Sequence, residues 1–153
     1  MPPDRDGARL QAVYQELLLE HYRRPRNRGP LEHADVAVSM RNPLCGDVVT
    51  LQVAFDDDHV REAKFTGEGC AISQAAASMM TQLVKGKPME EADRLRQRFR
   101  QMLLGDAEAA ADPDLGELRA LAGVARLPVR VKCALVAWNA LDEAFKRRSG
   151  QTG

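Results

Sequence analysis

Two short runs in the middle of the chain alternate apolar and polar residues, a third short run follows them, and together they constrain the fold more than any other feature. Val36, Val38 and Met40 line one side of the first run, 35–40. Val49, Leu51, Val53 and Phe55 line the second, 48–55, and a third spans 60–65. Successive side chains of a strand point to opposite faces, so this period predicts strands with one buried face. Turns join them, which gives an antiparallel meander. Asp56-Asp57-Asp58-His59 is the polar tip of the second hairpin rather than a cation site.

Helical spacing surrounds the meander. Leu10, Val13, Tyr14, Leu17 and Leu18 predict an amphipathic helix over about 8–22. It ends in an arginine-rich stretch, four arginines within residues 23–28, where Pro25 and Pro30 stop the helix. The plain reading of that stretch is a solvated loop, and the sharper one is a docking patch for an acidic partner. Gly67 and Gly69 allow a sharp exit from the third strand. Ile72, Ala75, Ala76, Met79, Leu83 and Val84 then mark a helix ending near Gly86. A further helix carries Met89, Ala92, Leu95, Phe99, Met102 and Leu103 and stops at Gly105. Residues 105–115, acidic and alanine-rich, read as an inserted loop. Leu115, Leu118 and Leu121 suggest a short helix ended by Gly123. The last helix, about 129–147, carries Val131, Leu135, Trp138, Leu141 and Phe145. The expected class is α+β: a small three-stranded antiparallel sheet with helices packed on one face, in a single domain over 1–153, frayed at 1–8 and 149–153.

Charge and composition remove several functions. Lys plus Arg (22) balances Asp plus Glu (22), which gives no support for a nucleic-acid partner. No apolar run reaches the length a membrane span requires, and the charged, proline-containing start is not a secretory signal. The expected location is the cytoplasm, where thiols stay reduced. Three cysteines make a poor disulfide framework there, so metal binding or thiol chemistry explains them better. The bland alternative is that they are small core residues.

Their positions favour chemistry. Cys45 and Asp47 flank Gly46 on a turn that leads into the second strand. Cys70 opens a helix, and Cys133 lies in the first turns of the last one. A helix N-terminus carries partial positive charge and favours thiolate, which is both metal ligand and sulfur nucleophile. Cys45, Asp47, Cys70 and Cys133 suit a tetrahedral Zn²⁺ ion, and the carboxylate, the more weakly held ligand, implies a site meant to open. His21, His33 and His59 neighbour no cysteine and are not expected to be ligands.

Four segments carry a resemblance. They are Tyr22-Arg23-Arg24-Pro25-Arg26-Asn27-Arg28-Gly29, Asn42-Pro43-Leu44-Cys45-Gly46-Asp47, Gly67-Glu68-Gly69-Cys70-Ala71-Ile72-Ser73, and Arg130-Val131-Lys132-Cys133-Ala134 with Trp138. In this order they resemble the SufU-type branch of the IscU/NifU N-terminal family of iron–sulfur cluster assembly proteins. The resemblance implies metal ligands at Cys45, Asp47, Cys70 and Cys133. Scaffold-type members, which build a [2Fe–2S] cluster, usually have a histidine just before the third cysteine, where this chain has Lys132, and a shorter stretch after the second. Both departures point to the SufU-like role: a zinc-dependent sulfurtransferase taking persulfide sulfur from a cysteine desulfurase (SufS-like). The sulfur would pass to a downstream iron–sulfur scaffold or acceptor protein. Cys45 is the expected sulfur acceptor, since a turn residue moves further than one fixed on a helix. Arg130 is assigned an accessory role, docking the partner or steadying a thiolate. The alternative is a scaffold for a transient [2Fe–2S] cluster on the same ligands, and a third reading is a non-catalytic module with structural zinc.

Overall fold

The three runs form strands β1 (Val36–Asn42), β2 (Asp47–Asp56) and β3 (His59–Glu68). They make one antiparallel sheet in the order β1-β2-β3. The computed structural model describes residues 5–43 and 46–150, with side chains from residue 11 onward. Val38, Leu51 and Phe65 stand in register across the three strands and are fully buried. Each contributes about 1.5–3 kcal/mol by burial. Thr50 and Gln52 point to the half-exposed side. A register shift between Ala54 and Phe55 lets both of these neighbours turn inward.

Helices α1 (Arg5–Arg23), α2 (Ala71–Val84), α3 (Met89–Leu103), α4 (Ala107–Ala110) and α5 (Pro128–Arg148) complete the fold, with a 3-10 segment at Pro113–Arg126. α2 packs against β3, and α5 against β1 and β2, so the buried face of the sheet is covered by these two helices. α2 is buried from Ser73 through Thr81, around its whole circumference. It is apolar enough to sit centrally, against α1, α5 and the 3-10 segment. α3 places Phe99 against Trp138 of α5, with ring centroids 5.8 Å apart.

Several expectations change. α1 begins at Arg5, so residues 5–8 are helical rather than frayed, and residues 1–4 lie outside the described residues. Val13, expected on the buried stripe, is 58% exposed. Tyr14, Leu18 and Leu19 line an open groove of about 560 Å³ against Ala120, Ala122 and Gly123. Ser149 and Gly150 are held by backbone bonds to Phe145 and Arg147, and 151–153 lie outside the described residues. The expected loop at 105–115 is not structureless. Asp106 caps α4 by accepting from the N–H groups of Glu108 and Ala109, and Asp112 caps the 3-10 segment through the N–H of Asp114. Arg98 of α3 ties Asp112 down at 2.9 Å. The segment that follows breaks at Gly116 (φ 55°, ψ −128°) and continues as 3-10 past Gly123 to Arg126, with Leu118, Leu121 and Val124 repeating every third residue, the period of that helix.

The arginine-rich stretch is an ordered strap. Gly29 N–H donates to Phe65 O at 2.9 Å, and Phe65 N–H donates to Asn27 O at 3.0 Å, which covers the free edge of β3. Arg28 caps the Gly67 carbonyl at 3.1 Å.

His21, given no role by the sequence, is fully buried where α1 meets α2 and the 3-10 segment. Ser78 Oγ accepts the Arg26 N–H at 2.7 Å and meets His21 Nδ1 at 2.7 Å. Glu117 Oε2, a carboxylate oxygen 2.8 Å from Nε2, can only accept, so Nε2–H donates to it. Partial burial pushes the Glu117 carboxyl up, but the hydrogen bonds from His21 and Gln82 and the nearby charges of His21 and Arg26 outweigh it and hold the group below its usual range. A depressed carboxyl stabilises the fold above its unfolded pKa, and that contribution disappears as pH falls through the folded value. Glu117 is part-exposed, so the contribution is no more than about 1 kcal/mol. Thermal midpoints followed below about pH 4.5 are expected to fall less steeply for Glu117→Gln than for the parent chain. Parallel curves for the two proteins would remove Glu117 from the account.

Candidate metal centre

Three of the four sequence-predicted ligands converge at one end of the sheet, where the β1–β2 hairpin, the β3–α2 junction and the start of α5 meet. Asp47 opens β2 and pairs with Asn42, the last residue of β1. Cys70 is the residue before the first turn of α2, in extended backbone conformation (φ −71°, ψ 166°), and its side chain caps nothing. Cys133 lies in the second turn of α5. Ligand atoms of Asp47, Cys70 and Cys133 all lie within 4.8 Å of one another. Cys45 lies outside the described residues. Arg130 is exposed, one turn ahead of Cys133 on α5.

Gly69 lets the junction close. Its φ of +157° is one that side-chain-bearing residues rarely adopt, and a Cβ there would run into Asp47 Oδ1 and lie 2.7 Å from Ser73 Oγ. Gly67 serves differently from the expectation. Its backbone carries no left-handed angle, but a Cβ would strike the Val48 carbonyl of the adjacent strand. One glycine supplies conformation and space, the other space alone.

Asp47 is fully buried. Its Oδ1 accepts the Cys70 N–H at 2.8 Å and the Ser73 hydroxyl at 3.2 Å, while Oδ2 faces Cys70 Sγ at 4.0 Å. Ser73 Oγ also reaches the Cys70 carbonyl at 3.0 Å and receives Gln74 Nε2 at 3.3 Å. Gln74 is buried, and its Oε1 has no partner. On the far side, Asn42 Nδ2 donates to Cys133 Sγ at 3.4 Å. The helix field reaches only the first turn, so it acts on Cys70, while Cys133 has this amide instead. Sequence reasoning passed over Ser73, Gln74 and Asn42 as site residues. Polar side chains at the first turn of α2, and opposite Asp47 in a hairpin, were the available signals.

The donor set fits a metal ion. A buried carboxylate needs a counter-charge, and a metal ion held beside Oδ2 would supply one. Two thiols and one carboxylate oxygen are the donors zinc takes. Held this close together, the three would supply most of the ligands of one such ion.

Comparison with known proteins accords with this centre. Residues 13–151 match the family model described as the NifU-like N terminal domain. The chain is 43% identical over 144 residues to the zinc-dependent sulfurtransferase SufU of Bacillus subtilis, covering 94% of this chain and 97% of that protein. It is 46% identical over 140 residues to the iron–sulfur cluster assembly scaffold protein IscU of Streptococcus pyogenes, covering 92% and 87%. Among solved structures, an iron–sulfur cluster assembly scaffold protein for the SUF system from Fervidobacterium islandicum superposes with a TM-score of 0.80 at 34% identity, covering 89% of this chain and 98% of that one. With a family model spanning nearly all of the sequence and relatives of this identity on both sides of it, the chain belongs to the NifU-like N-terminal domain family of iron–sulfur cluster assembly proteins.

Proposed function

We propose that this protein is a zinc-dependent sulfur acceptor, taking persulfide sulfur from a cysteine desulfurase during iron–sulfur cluster assembly. The observation that carries the reading is the buried convergence of Asp47, Cys70 and Cys133 at the end of the sheet. Cys45 is the fourth ligand and the acceptor. A Zn²⁺ ion held by these residues would keep the thiols deprotonated at neutral pH and restrain their nucleophilicity.

The chain's own residues set which thiol moves. Cys133 has no exposed surface and is held by Asn42, so a partner's persulfide has no approach to it. Cys70 is half-buried and fixed by its backbone N–H to Asp47. Cys45, which falls between β1 and β2 in the sequence, is the thiolate that attacks the terminal sulfur of the donor persulfide. A new S–S bond forms at Cys45, the donor's S–S bond breaks, and the donor leaves as a cysteine thiolate, so no oxidant is consumed. Arg130, at the rim, faces the incoming partner and favours the anionic sulfur. The sulfur then passes to a downstream scaffold or acceptor protein.

The test is a desulfurase assay with cysteine and reductant, adding this protein with its metal content measured. Turnover is expected to rise in proportion to bound zinc and to fall back on chelation. No stimulation, with iron and sulfide in the purified protein, would overturn the reading. That outcome would favour a [2Fe–2S] scaffold; the Streptococcus relative is named as an iron–sulfur cluster assembly scaffold. Against it stands Lys132, exposed at the position where scaffold-type members usually have a histidine.

The described residues include no helix long and apolar enough to cross a membrane.

A further inference from the structure

We propose that Ser73, set by Gln74, is a positioning residue that divides the two oxygens of Asp47 between protein and metal. The inference deepens the zinc reading and rests on it. Oδ1 receives two donors, the Cys70 N–H at 2.8 Å and the Ser73 hydroxyl at 3.2 Å. Oδ2 faces the sulfur of Cys70 and is the oxygen left for the ion. A carboxylate pinned at one oxygen binds through the other alone, as one ligand rather than two. It also stays in place when the ion's other ligands change.

The direction of the Ser73 proton decides whether this works. A hydroxyl has one proton, and two acceptors lie in reach, Asp47 Oδ1 and the Cys70 carbonyl at 3.0 Å. Gln74 Nε2 donates to Ser73 Oγ at 3.3 Å, so the hydroxyl accepts there and must give its proton outward. The Cys70 carbonyl already accepts the Gln74 backbone N–H at 3.2 Å, whereas Asp47 is an anion, and a charged acceptor makes the stronger bond. Gln74 is only 5% exposed, and its Oε1 is left unpaired, which is costly. An apolar side chain of the same size would fill the space without that penalty. What the amide adds is its donor end, aimed at Ser73.

Hydrogen-bond partners of metal ligands typically change metal affinity by 10–100-fold when removed. Zinc-loaded full-length protein is mixed with a chromogenic chelator, and the rate of zinc release is followed. Ser73→Ala is expected to release zinc about tenfold faster than the parent, and Gln74→Met at an intermediate rate. Ser78→Ala is the control. It removes another fully buried hydroxyl from the same helix, one that contacts His21 and not Asp47, and is expected to release zinc at the parent rate. A parent-like rate for Ser73→Ala, or an equal acceleration in Ser78→Ala, overturns the proposal. If Ser73→Ala does not fold, Gln74→Met decides, and a parent rate there is equally fatal. Parent protein that binds no zinc takes down the zinc reading and this inference together. Zinc binding with unmoved rates takes down the inference alone.

Discussion

Replacing Cys45 with serine is expected to leave a folded protein that accepts no sulfur. Asp47 and Cys133 sit on β2 and α5 and Cys70 immediately precedes α2, and their convergence is set by elements that do not include residue 45. Three protein ligands with the fourth position open to water is an arrangement zinc accepts, so metal is retained with reduced affinity. Serine ionises far less readily than cysteine and cannot form a persulfide, so transfer stops at the chemical step and not at docking. Persulfide per chain, counted after incubation with the desulfurase and labelled cysteine, is expected to drop from near one in the parent to background. Full transfer to the Cys45→Ser protein would move the acceptor to Cys70, which keeps exposed surface where Cys133 is buried. Cys133→Ser contrasts with it. That residue is completely buried and bonded to Asn42, so its loss is expected to remove the metal as well as the activity.

How much of this was legible in the sequence depended on the range of the interaction. The sheet was readable because its signal is local. A period of two from Val49 to Val53 fixes which side chains face inward, and the hairpins fix the partners. The grouping of Asp47, Cys70 and Cys133 was readable because each stands at the edge of an element. Edges of a three-stranded meander and of the helices that cover it meet at one end. The ligand environment was not readable, because it rests on geometry finer than spacing. Ser73 reaches Asp47 only because Gly69 has no side chain, and no periodicity reports that. His21 was opaque for another reason: its partners, Ser78 and Glu117, lie 57 and 96 residues away. The stretch at 105–115 misled because alanine and aspartate carry no apolar face there. Order came from capping by Asp106 and Asp112 and from the Arg98 pair, which are side-chain-to-backbone and long-range effects.

Gly69→Ala is expected to do more damage to the metal centre than any other single methyl group added to the chain. Two effects coincide at this position. The backbone angle there is one alanine resists, which costs about 1–2 kcal/mol by itself. The new methyl also enters the space of the Asp47 carboxylate and lies 2.7 Å from the Ser73 hydroxyl. Neither group can step aside cheaply, since both are buried and bonded to each other and to Cys70. The carboxylate must rotate, and the rotation that relieves Oδ1 also re-aims Oδ2, the oxygen turned toward the cysteines. Gly86→Ala separates the two effects. Gly86 also has a left-handed angle, φ +82°, but no atom lies within 4 Å of its added methyl. Gly86→Ala is therefore expected to lose about 1–2 kcal/mol in denaturant unfolding of the metal-free protein, and Gly69→Ala more, because its clash with Asp47 and Ser73 is present without metal. Only Gly69→Ala is expected to lose zinc affinity, by tenfold or more in chelator competition. Equal zinc affinity in the two variants would mean that the Asp47 carboxylate is free to turn, and that its fixed orientation plays no part in holding the ion.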